Sequence, residues 1–533
     1  MLQYSLLFAF KKTGNEQMLP IFQSQLVASM EMILDLPFHT YDFLETAWNV
    51  SSFTLAVNIA DISRHYDSFE EYVALHPVPP PYLPPWTFEV PSGSLILFMA
   101  SQRSFAESAR RIGGAARVAM IHLHDATAWD DWASVRVAWE SVTGAAEGLL
   151  PMFYFTRLAG LVGCAEQRHI EARLHAPFKA LKDMLIAARA EGAGLGLARD
   201  FLRRWWADGS PAMRDAEVLF CGEPVWLCPL LDEIAERPMI MRFNMAILDE
   251  FMYNNGQTGS VFDEWWDEFA AFMDRGRVFA SVGTRYTVEQ VAYLTGGALR
   301  YPYVPFLGLA MDPRPVLPRR PRNEALLFQS NLPPMLAFKR MLKAAATVFA
   351  QGEGGPEAPH IVDMNDLPRG VCRPEMGMYE AAILLPHNPA PIRLIDLYAQ
   401  GVVIYVPAEP LIHKWIWANR PFGGYNGPPV YRSMPSRRLA STHAVEPPDG
   451  HPPFSATAFL FKWSIIEHID DRRYWLQYTE WELLPELQRF RGIAELLQML
   501  HSRSPAQVEA VRAAMNMHLQ ARRAEAMSWW RAA

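Results

Sequence analysis

The stretch from Tyr379 to Pro407 constrains the fold more than any other part of the sequence. Ala381–Leu385 is a short apolar run that predicts a buried strand, and the proline-rich loop after it ends that strand. A helical pattern follows, Gly401 ends it, and Val402–Val406 predicts a second buried strand. Strand, helix and strand in this order predict a parallel pair. Its first loop then lies at the carboxyl edge of the sheet, beside the helix N–H groups, where doubly wound sheets bind phosphorylated ligands.

Similar apolar runs recur along the chain, each followed by a helical pattern. The remaining ones are Phe53–Ile59, Leu95–Ala100, Arg117–His122, Val218–Cys221, Met239–Phe243, Val278–Val282, Ala325–Gln329 and His360–Asp363. Strands that alternate with helices predict parallel sheets. A segment rich in arginine and proline, residues 313–323, divides the runs into two series. The predicted fold is therefore α/β, with two Rossmann-like, doubly wound parallel-sheet domains.

The chain has 533 residues, which exceeds what one core accommodates, so two domains with extensions are expected. The predicted boundaries are an N-terminal domain over residues 1–312, a linker over 313–323, a C-terminal domain over 324–500 and a C-terminal helical extension over 501–533. The first domain is expected to carry a proline-rich insertion at about 65–93. Helical patterns predict a second insertion at about 130–210.

Composition excludes some classes of function. A net charge of −8 and a pI near 6.0 provide no general attraction for nucleic acid, so no nucleic-acid partner is expected. The four cysteines are far apart and form no Cys-x-x-Cys pair, so neither a zinc site nor a disulfide framework is predicted. Apolar runs are too short for a transmembrane segment. No clear signal peptide is present, which favours the cytoplasm.

Two candidates for a general base follow strands of the first series. His124 and Asp125 follow the strand that ends at His122, and a His beside an Asp can act as a base whose tautomer the carboxylate fixes. Glu223 follows the strand that ends at Cys221. The plainer interpretation of Glu223 is a solvent-facing turn carboxylate. Further along, Thr287 and Gln290 have the spacing of a capping box at a helix start.

The second series offers candidate ligands for a nucleotide diphosphate. Arg393 and Asp396 lie in the helix of the 379–407 unit, where a guanidinium can grip phosphate and a carboxylate can accept hydrogen bonds from ribose hydroxyls. The alternative is a surface ion pair at i,i+3 spacing. Ser330 and Asn331 follow the first strand of the series, and Lys339 lies on the next helix. These side chains are also expected near the carboxyl edge.

With its two series of predicted strands, the sequence resembles the GT-B glycosyltransferases, and more narrowly exostosin-like GT-B proteins of algae and protists. The resemblance covers roughly residues 215–500 and rests on Asp215–Pro224, Phe243–Leu248, Trp265–Gly296, Ala381–Pro407 and Tyr474–Trp481. It implies two domains that face a cleft, with a nucleotide-sugar donor (UDP- or GDP-linked) bound mainly to the second. The resemblance also implies that Asp396 would hold the donor ribose, while His387, Asn388 and Arg393 would flank the sugar and diphosphate. Relatives often work in the secretory pathway or the Golgi.

The expected function is transfer of a sugar from the nucleotide sugar to an unknown glycan, protein or small-molecule acceptor. GT-A transferases use an Asp-x-Asp to hold a divalent ion, and the sequence contains no Asp-x-Asp. No metal and no cofactor is therefore expected, and helix N-termini with Arg or Lys would stabilise the leaving diphosphate. Two alternatives remain: a nucleotide-sugar epimerase of GT-B fold, and a non-catalytic GT-B-like protein that serves as a binding or scaffold module.

Overall fold

The computed structural model describes sixteen main segments of the chain and a few residues between 71 and 77. These segments are residues 116–122, 125–143, 149–155, 195–208, 214–222, 225–243, 260–294, 301–308, 320–328, 333–352, 355–367, 373–386, 392–409, 411–412, 473 and 476–532. Two predicted strands, Phe53–Ile59 and Leu95–Ala100, lie outside the described residues, as does most of the predicted insertion at 65–93.

The N-terminal half of the described chain forms a parallel sheet, called the first sheet below. Its elements in chain order are β1 (Ala116–His122), α1 (Asp125–Thr143), β2 (Leu149–Phe155), α2 (Gly196–Asp208), β3 (Val218–Cys221), α3 (Cys228–Ala235), β4 (Met239–Phe243), α4 (Ser260–Asp274), β5 (Val278–Val282) and α5 (Arg285–Leu294). The strand order is β2-β1-β3-β4-β5, and every pairing within it is parallel.

Both faces of the first sheet are covered. Alternate strand residues such as Leu219 and Met241 pack with α2, α3 and α4 on one face. Their neighbours Met120 and Phe220 pack with α1 on the other. Because side chains alternate along a strand, covering both faces requires strands that are apolar throughout, and β3 is buried at all four positions.

The C-terminal half forms the second sheet, with the order β10-β9-β8-β6-β7, again entirely parallel. Its elements are β6 (Glu324–Phe328), α6 (Pro333–Gln351), β7 (His360–Asp363), α7 (Arg373–Met376), β8 (Ala381–Leu384), α8 (Ile392–Ala399), β9 (Val403–Pro407), α9 (Glu480–Leu483), β10 (Gln488–Phe490), α10 (Ile493–Ser502) and α11 (Pro505–Ala532). Leu326 and Ile404 face α8. Leu327 and Ile383 face α6 and α10. The predicted class, two parallel α/β sheets with helices on both faces, is confirmed.

The final helix, α11, contacts both halves of the described chain. Val508 packs in the core below α6 and α10, and Met515 and Leu519 pack against the face that holds α8. Further along the same helix, Trp529 and Trp530 pack against the first sheet. A single stripe of buried residues at spacings of three and four therefore joins the cores of the two sheets.

Residues 301–308, here called the strap, form a second connection. Tyr303 bridges to Val282 at the end of β5. At the other end, Gly308 lies against α8, where a Cβ built on Gly308 would come within 2.3 Å of the Ala399 Cβ. Phe306 belongs to the same core cluster as Leu394 and Ile395. The strap thus begins at the first sheet and packs on the helix that carries Arg393 and Asp396.

The structure corrects three details of the sequence analysis. The region 130–210, expected to be a helical insertion, contributes β2 to the first sheet. The C-terminal domain contains the short strand β10, which was not among the predicted strands. Helix α5 begins at Arg285 rather than at the predicted capping box, because the Thr284 Oγ1 accepts the Thr287 N–H at 3.1 Å and caps the helix three residues earlier.

Candidate functional site

Among the strands that the structure describes, each sheet has one point where the chain reverses its direction of winding. In the first sheet, β1 leads to β2 on one side, and the chain then returns to β3 on the other side of β1. Helix α1, which follows β1, and helix α3, which follows β3, lie on opposite faces, as Trp132 and Leu231 show by their core clusters. Adjacent loops that turn to opposite faces leave a crevice at the carboxyl edge, and ligands bind in such crevices.

The second sheet repeats this arrangement between β6 and β8. The chain passes from β6 to β7 and returns to β8 on the other side of β6. Phe338 of α6 and Leu394 of α8 lie on opposite faces of the sheet. The carboxyl edge therefore has a second crevice between the ends of β6 and β8. These two crevices are called the β1–β3 crevice and the β6–β8 crevice.

Arg393 lies directly at the β6–β8 crevice. It is the second residue of α8, and its guanidinium carbon lies 5.8 Å from the ring centre of Phe328, the last residue of β6. Its Nη1 lies 3.3 Å from the Met364 Sδ, just beyond the end of β7. Arg393 is the exposed residue of an otherwise buried α8, so its charge faces solvent across the end of β6.

Asp396 lies on the same helix, but its environment differs. It is only 1% exposed, and its neighbours on α8 belong to the apolar core. The two residues therefore differ in exposure, because the Arg393 side chain faces solvent and the Asp396 side chain is enclosed. A ribose could reach the Asp396 carboxylate only after a local rearrangement.

Lys339 points to a different strand from Arg393. Its ammonium group forms an ion pair with Asp363, the last residue of β7, and lies 3.7 Å from an Asp366 carboxylate oxygen. Lys343 on the next turn of α6 also forms an ion pair with Asp366. The lysine ion pairs, Lys343 first, hold the pKa of Asp366 below its usual value. The charge of Lys339 is therefore already compensated at the β7 end of the edge.

Four predicted donor residues are not described, but their positions along the chain are informative. Ser330 and Asn331 follow β6, and His387 and Asn388 follow β8. All four lie outside the described residues. The strands that lead to them end on the two sides of the β6–β8 crevice.

The candidate bases follow the two strands that border the β1–β3 crevice. Asp125 is the first residue of α1, three positions after the end of β1. Gly222 donates its N–H to the Ile121 carbonyl oxygen at 2.9 Å, so the ends of β1 and β3 remain in contact. His124 and Glu223 lie outside the described residues, next in sequence to Asp125 and Gly222. The two alternatives for the base thus follow neighbouring strands.

The cysteines at the β1–β3 crevice were misjudged from the sequence. Cys221 and Cys228 form a disulfide with a Cα–Cα distance of 5.8 Å, whereas the sequence analysis predicted no disulfide framework. A 3₁₀ turn at Val225–Leu227 brings the start of α3 back to the end of β3, which makes the pairing possible. The spacing of seven residues alone did not indicate this turn.

A buried charged pair lies beneath the edge of the first sheet. Asp131 of α1 forms an ion pair with Arg242 of β4, and both side chains are almost fully enclosed. The Arg242 guanidinium also lies over the rings of Phe306 and Trp530. Burial raises the pKa of Asp131 to about 7, although Arg242 acts in the opposite direction. Asp130 beside it accepts the Leu307 N–H at 2.9 Å and fixes the strap.

Two searches for other features gave negative results within the described residues. In these ranges, no group of three or more His, Cys, Asp or Glu side chains is arranged to hold a metal ion. Across the same ranges, none of the helices combines the length and apolarity needed to cross a membrane.

The comparisons with known proteins show similarity at the level of structure and none at the level of sequence. No protein family model matches the sequence, and no curated protein sequence is similar to it. Among solved structures, the chain is similar to one described as the glycotransferase of kitacinnamycin, with a TM-score of 0.36 and 11% sequence identity. The alignment covers 76% of this chain and 96% of that one. A likeness at this level does not extend to the chemistry of the site.

Proposed function

We propose that this chain is a glycosyltransferase of the GT-B type, which transfers a sugar from a nucleotide-sugar donor to an acceptor in a cleft between its two sheets. One observation carries the proposal. The residues that the sequence analysis assigned to donor binding follow β6 and β8, and those assigned to the base follow β1 and β3. These four strands border the two crevices that the strand orders create.

In this proposal the second sheet binds the donor. Arg393 is exposed at the β6–β8 crevice, where its planar guanidinium can hold two phosphate oxygens. The negative charge that develops on the departing diphosphate is then met by Arg393 and by the N–H groups at the start of α8, without a metal ion. His387 and Asn388 in the loop after β8 would contact the sugar and diphosphate. Ser330 and Asn331, which follow β6, would contact the donor from the opposite side of the β6–β8 crevice.

The first sheet would bind the acceptor and supply the base. Either Asp125 with His124, or Glu223, removes the proton from the acceptor hydroxyl as its oxygen attacks the anomeric carbon. The bond from that carbon to the diphosphate breaks, and the nucleoside diphosphate leaves with the electron pair. Closing the cleft would exclude water and so protect the donor from hydrolysis.

Nucleotide titration tests the donor site. The melting temperature is measured with UDP, GDP and their sugar-linked forms. A ligand at about 100 times its dissociation constant should raise the free energy of unfolding by about 2.7 kcal/mol. If none of these nucleotides changes the melting temperature, the donor proposal is wrong.

A product assay then separates the three classes of function. Donor carrying a labelled sugar is incubated with the protein, with and without a panel of simple glycosides as acceptors. A transferase gives a labelled glycoside only when an acceptor is present, whereas an epimerase alters the donor sugar in its absence. Binding without any turnover would indicate a non-catalytic module.

A further inference from the structure

The disulfide between Cys221 and Cys228 encloses the loop that carries Glu223. Cys221 is the last residue of β3 and Cys228 is the first residue of α3. The six residues between them are Gly222–Leu227. At one end, the Gly222 N–H donates to the carbonyl oxygen of Ile121 on β1. At the other end, Val225 and Leu227 are buried in the core below α3.

We propose that this disulfide is a permanent clasp, formed in an oxidising compartment, which ties the described ends of the loop, Gly222 and Val225–Leu227, together at the β1–β3 crevice. The part that concerns catalysis rests on the proposed function. Forming the clasp oxidises two thiols to one disulfide, and the two electrons and two protons pass to a thiol–disulfide oxidoreductase. Such bonds persist in the secretory pathway and outside the cell, and are rare in the reducing cytosol.

Burial indicates a permanent bond rather than a reversible switch. Cys221 is 1% exposed and Cys228 is 0% exposed. Both belong to a core cluster that also contains Ile121, Leu219 and Leu231. A reducing thiolate must reach one of the sulfur atoms, so reduction requires this part of the core to open first. The native protein should therefore resist reductants that act on exposed disulfides.

The position of the clasp gives it a role at the crevice. A loop tied at both ends samples fewer conformations than one tied at a single end. Here one end is also held against β1, the strand that leads to Asp125. The clasp therefore restrains the start of α3 at the end of β3, which the Gly222 N–H holds against β1.

The first test is chemical. Cells that naturally make the protein are treated with an alkylating reagent before lysis, and the purified chain is denatured without reductant and mapped by mass spectrometry. We expect the peptides containing Cys221 and Cys228 to be joined and unmodified. If both cysteines carry the alkyl group, the clasp does not form in the cell and the proposal is overturned.

The second test compares two variants. Cys221→Ala/Cys228→Ala removes the clasp, while Leu230→Ala removes a buried side chain of α3 and destabilises the same core without opening the loop. We expect the double variant to transfer sugar at least tenfold more slowly, mainly through kcat, with donor affinity within twofold. At a temperature where Leu230→Ala is folded, its rate of sugar transfer should stay within threefold of the wild-type rate. Equal rates for the double variant and the wild type would overturn the positioning role.

Amide hydrogen exchange keeps the test independent of activity. The amides of Gly222 and Val225–Leu227 should exchange at least tenfold faster in the double variant than in Leu230→Ala, and unchanged exchange counts against the clasp. If the double variant does not fold, the same exchange is measured on wild-type protein that was unfolded in urea, reduced with a phosphine and refolded with the phosphine present, which must show the same increase. A wild-type protein that binds no nucleotide sugar refutes the proposed function but leaves this comparison valid.

Discussion

Arg522 on the last helix donates to both carboxylate oxygens of Glu480, with Nη1 2.9 Å from Oε2 and Nη2 3.1 Å from Oε1. Both side chains are buried. The Tyr303 hydroxyl donates to the same Glu480 carboxylate at 2.9 Å, so the strap joins this cluster. The three residues come from the strap, from α9 and from α11. A single buried carboxylate thus connects the strap of the first sheet to the core of the second.

Replacing Arg522 should destabilise the protein severely. Arg522→Met leaves the Glu480 charge buried without its main partner, and we expect a loss of about 3–5 kcal/mol in the free energy of unfolding. The measurement is urea denaturation. Adding Glu480→Gln to Arg522→Met should recover part of the loss, because the stranded charge is removed.

The matched control is an exposed pair. Arg491 and Glu495 approach to 3.0 Å at i,i+4 spacing, and the Arg491 side chain is 75% exposed. Arg491→Met should cost less than about 1 kcal/mol. Similar losses for Arg522→Met and Arg491→Met would mean that the buried cluster contributes no special stability.

Gly308 should not tolerate alanine. Its φ is +59°, and a Cβ there would lie 2.3 Å from the Ala399 Cβ and 3.4 Å from the Ile395 carbonyl oxygen. We expect Gly308→Ala to cost about 1–2 kcal/mol for the left-handed backbone and a further 1–3 kcal/mol for overpacking. Thermal and urea unfolding measure this cost.

Gly276 supplies the control for Gly308. Its φ is +66°, but nothing lies within 4 Å of its built Cβ. Gly276→Ala should therefore cost only the backbone term. Ala399→Gly is measured alone and combined with Gly308→Ala, because glycine itself weakens a helix. The double variant should lose less free energy of unfolding than the sum of the two single losses, and additive losses would show that the strap does not press on α8 at this point.

Asp131 should make stability decrease as the pH rises. Its pKa is raised from an ordinary value of 3.8 to about 7 by burial, with Asp130 adding to the effect and Arg242 opposing it. The folded state therefore binds a proton that the unfolded chain has lost between these pH values. This contribution is complete below about pH 4 and is lost as the pH approaches 7, with a slope of up to about 1.4 kcal/mol per pH unit.

Asp131→Asn tests this contribution, because the amide cannot ionise. We expect a flatter dependence of the free energy of unfolding on pH between 4 and 7 than in the wild type. Partial burial also raises the pKa of Glu482 to about 7, against the opposing effect of Arg489, although 31% of this side chain remains exposed. Glu482→Gln is therefore measured in parallel. A wild-type slope that Asp131→Asn leaves unchanged would assign the pH dependence to other groups.

The sequence patterns predicted all the central strands and the edge strands β5 and β7, and the two strands that they missed are the other edge strands, β2 and β10. Val218–Cys221, Met239–Phe243 and His360–Asp363 have the predicted bounds, and the first two were recognisable because they are mostly apolar. Strand β2 contains Pro151, which is typical of an edge strand and weakens a strand prediction. Strand β10 has three residues, two of them polar.

The buried cluster and the environment of Asp396, which the sequence did not reveal, depend on contacts between residues far apart in the chain. Tyr303 and Glu480 are 177 positions apart, and Arg522 and Tyr303 are 219 apart. No local spacing indicates such a pair. The burial of Asp396 has the same origin, because core residues of α11 and the strap belong to the cluster that contains α8. From the sequence of α8 alone, Asp396 could equally have been a surface residue.

The last prediction concerns Arg393, whose side chain is exposed at the β6–β8 crevice. If it holds the diphosphate, Arg393→Ala should weaken UDP or GDP binding by about 10- to 100-fold, since a charge-assisted hydrogen bond contributes about 1.5–3 kcal/mol and 1.4 kcal/mol is tenfold. The dissociation constant of Arg393→Lys should lie between those of the wild type and Arg393→Ala, because an ammonium group keeps the charge but lacks the planar fork of the guanidinium. Isothermal titration calorimetry measures all three dissociation constants.

Arg340 on α6 is the control for a general loss of positive charge. It is exposed like Arg393, but it lies on the helix that follows β6 rather than at the start of α8. Arg340→Ala should change nucleotide affinity by less than twofold. Because both variants remove one exposed guanidinium, a difference between them reports a local contact rather than the net charge of the protein. Equal affinities for Arg393→Ala and wild type would place the diphosphate away from the β6–β8 crevice.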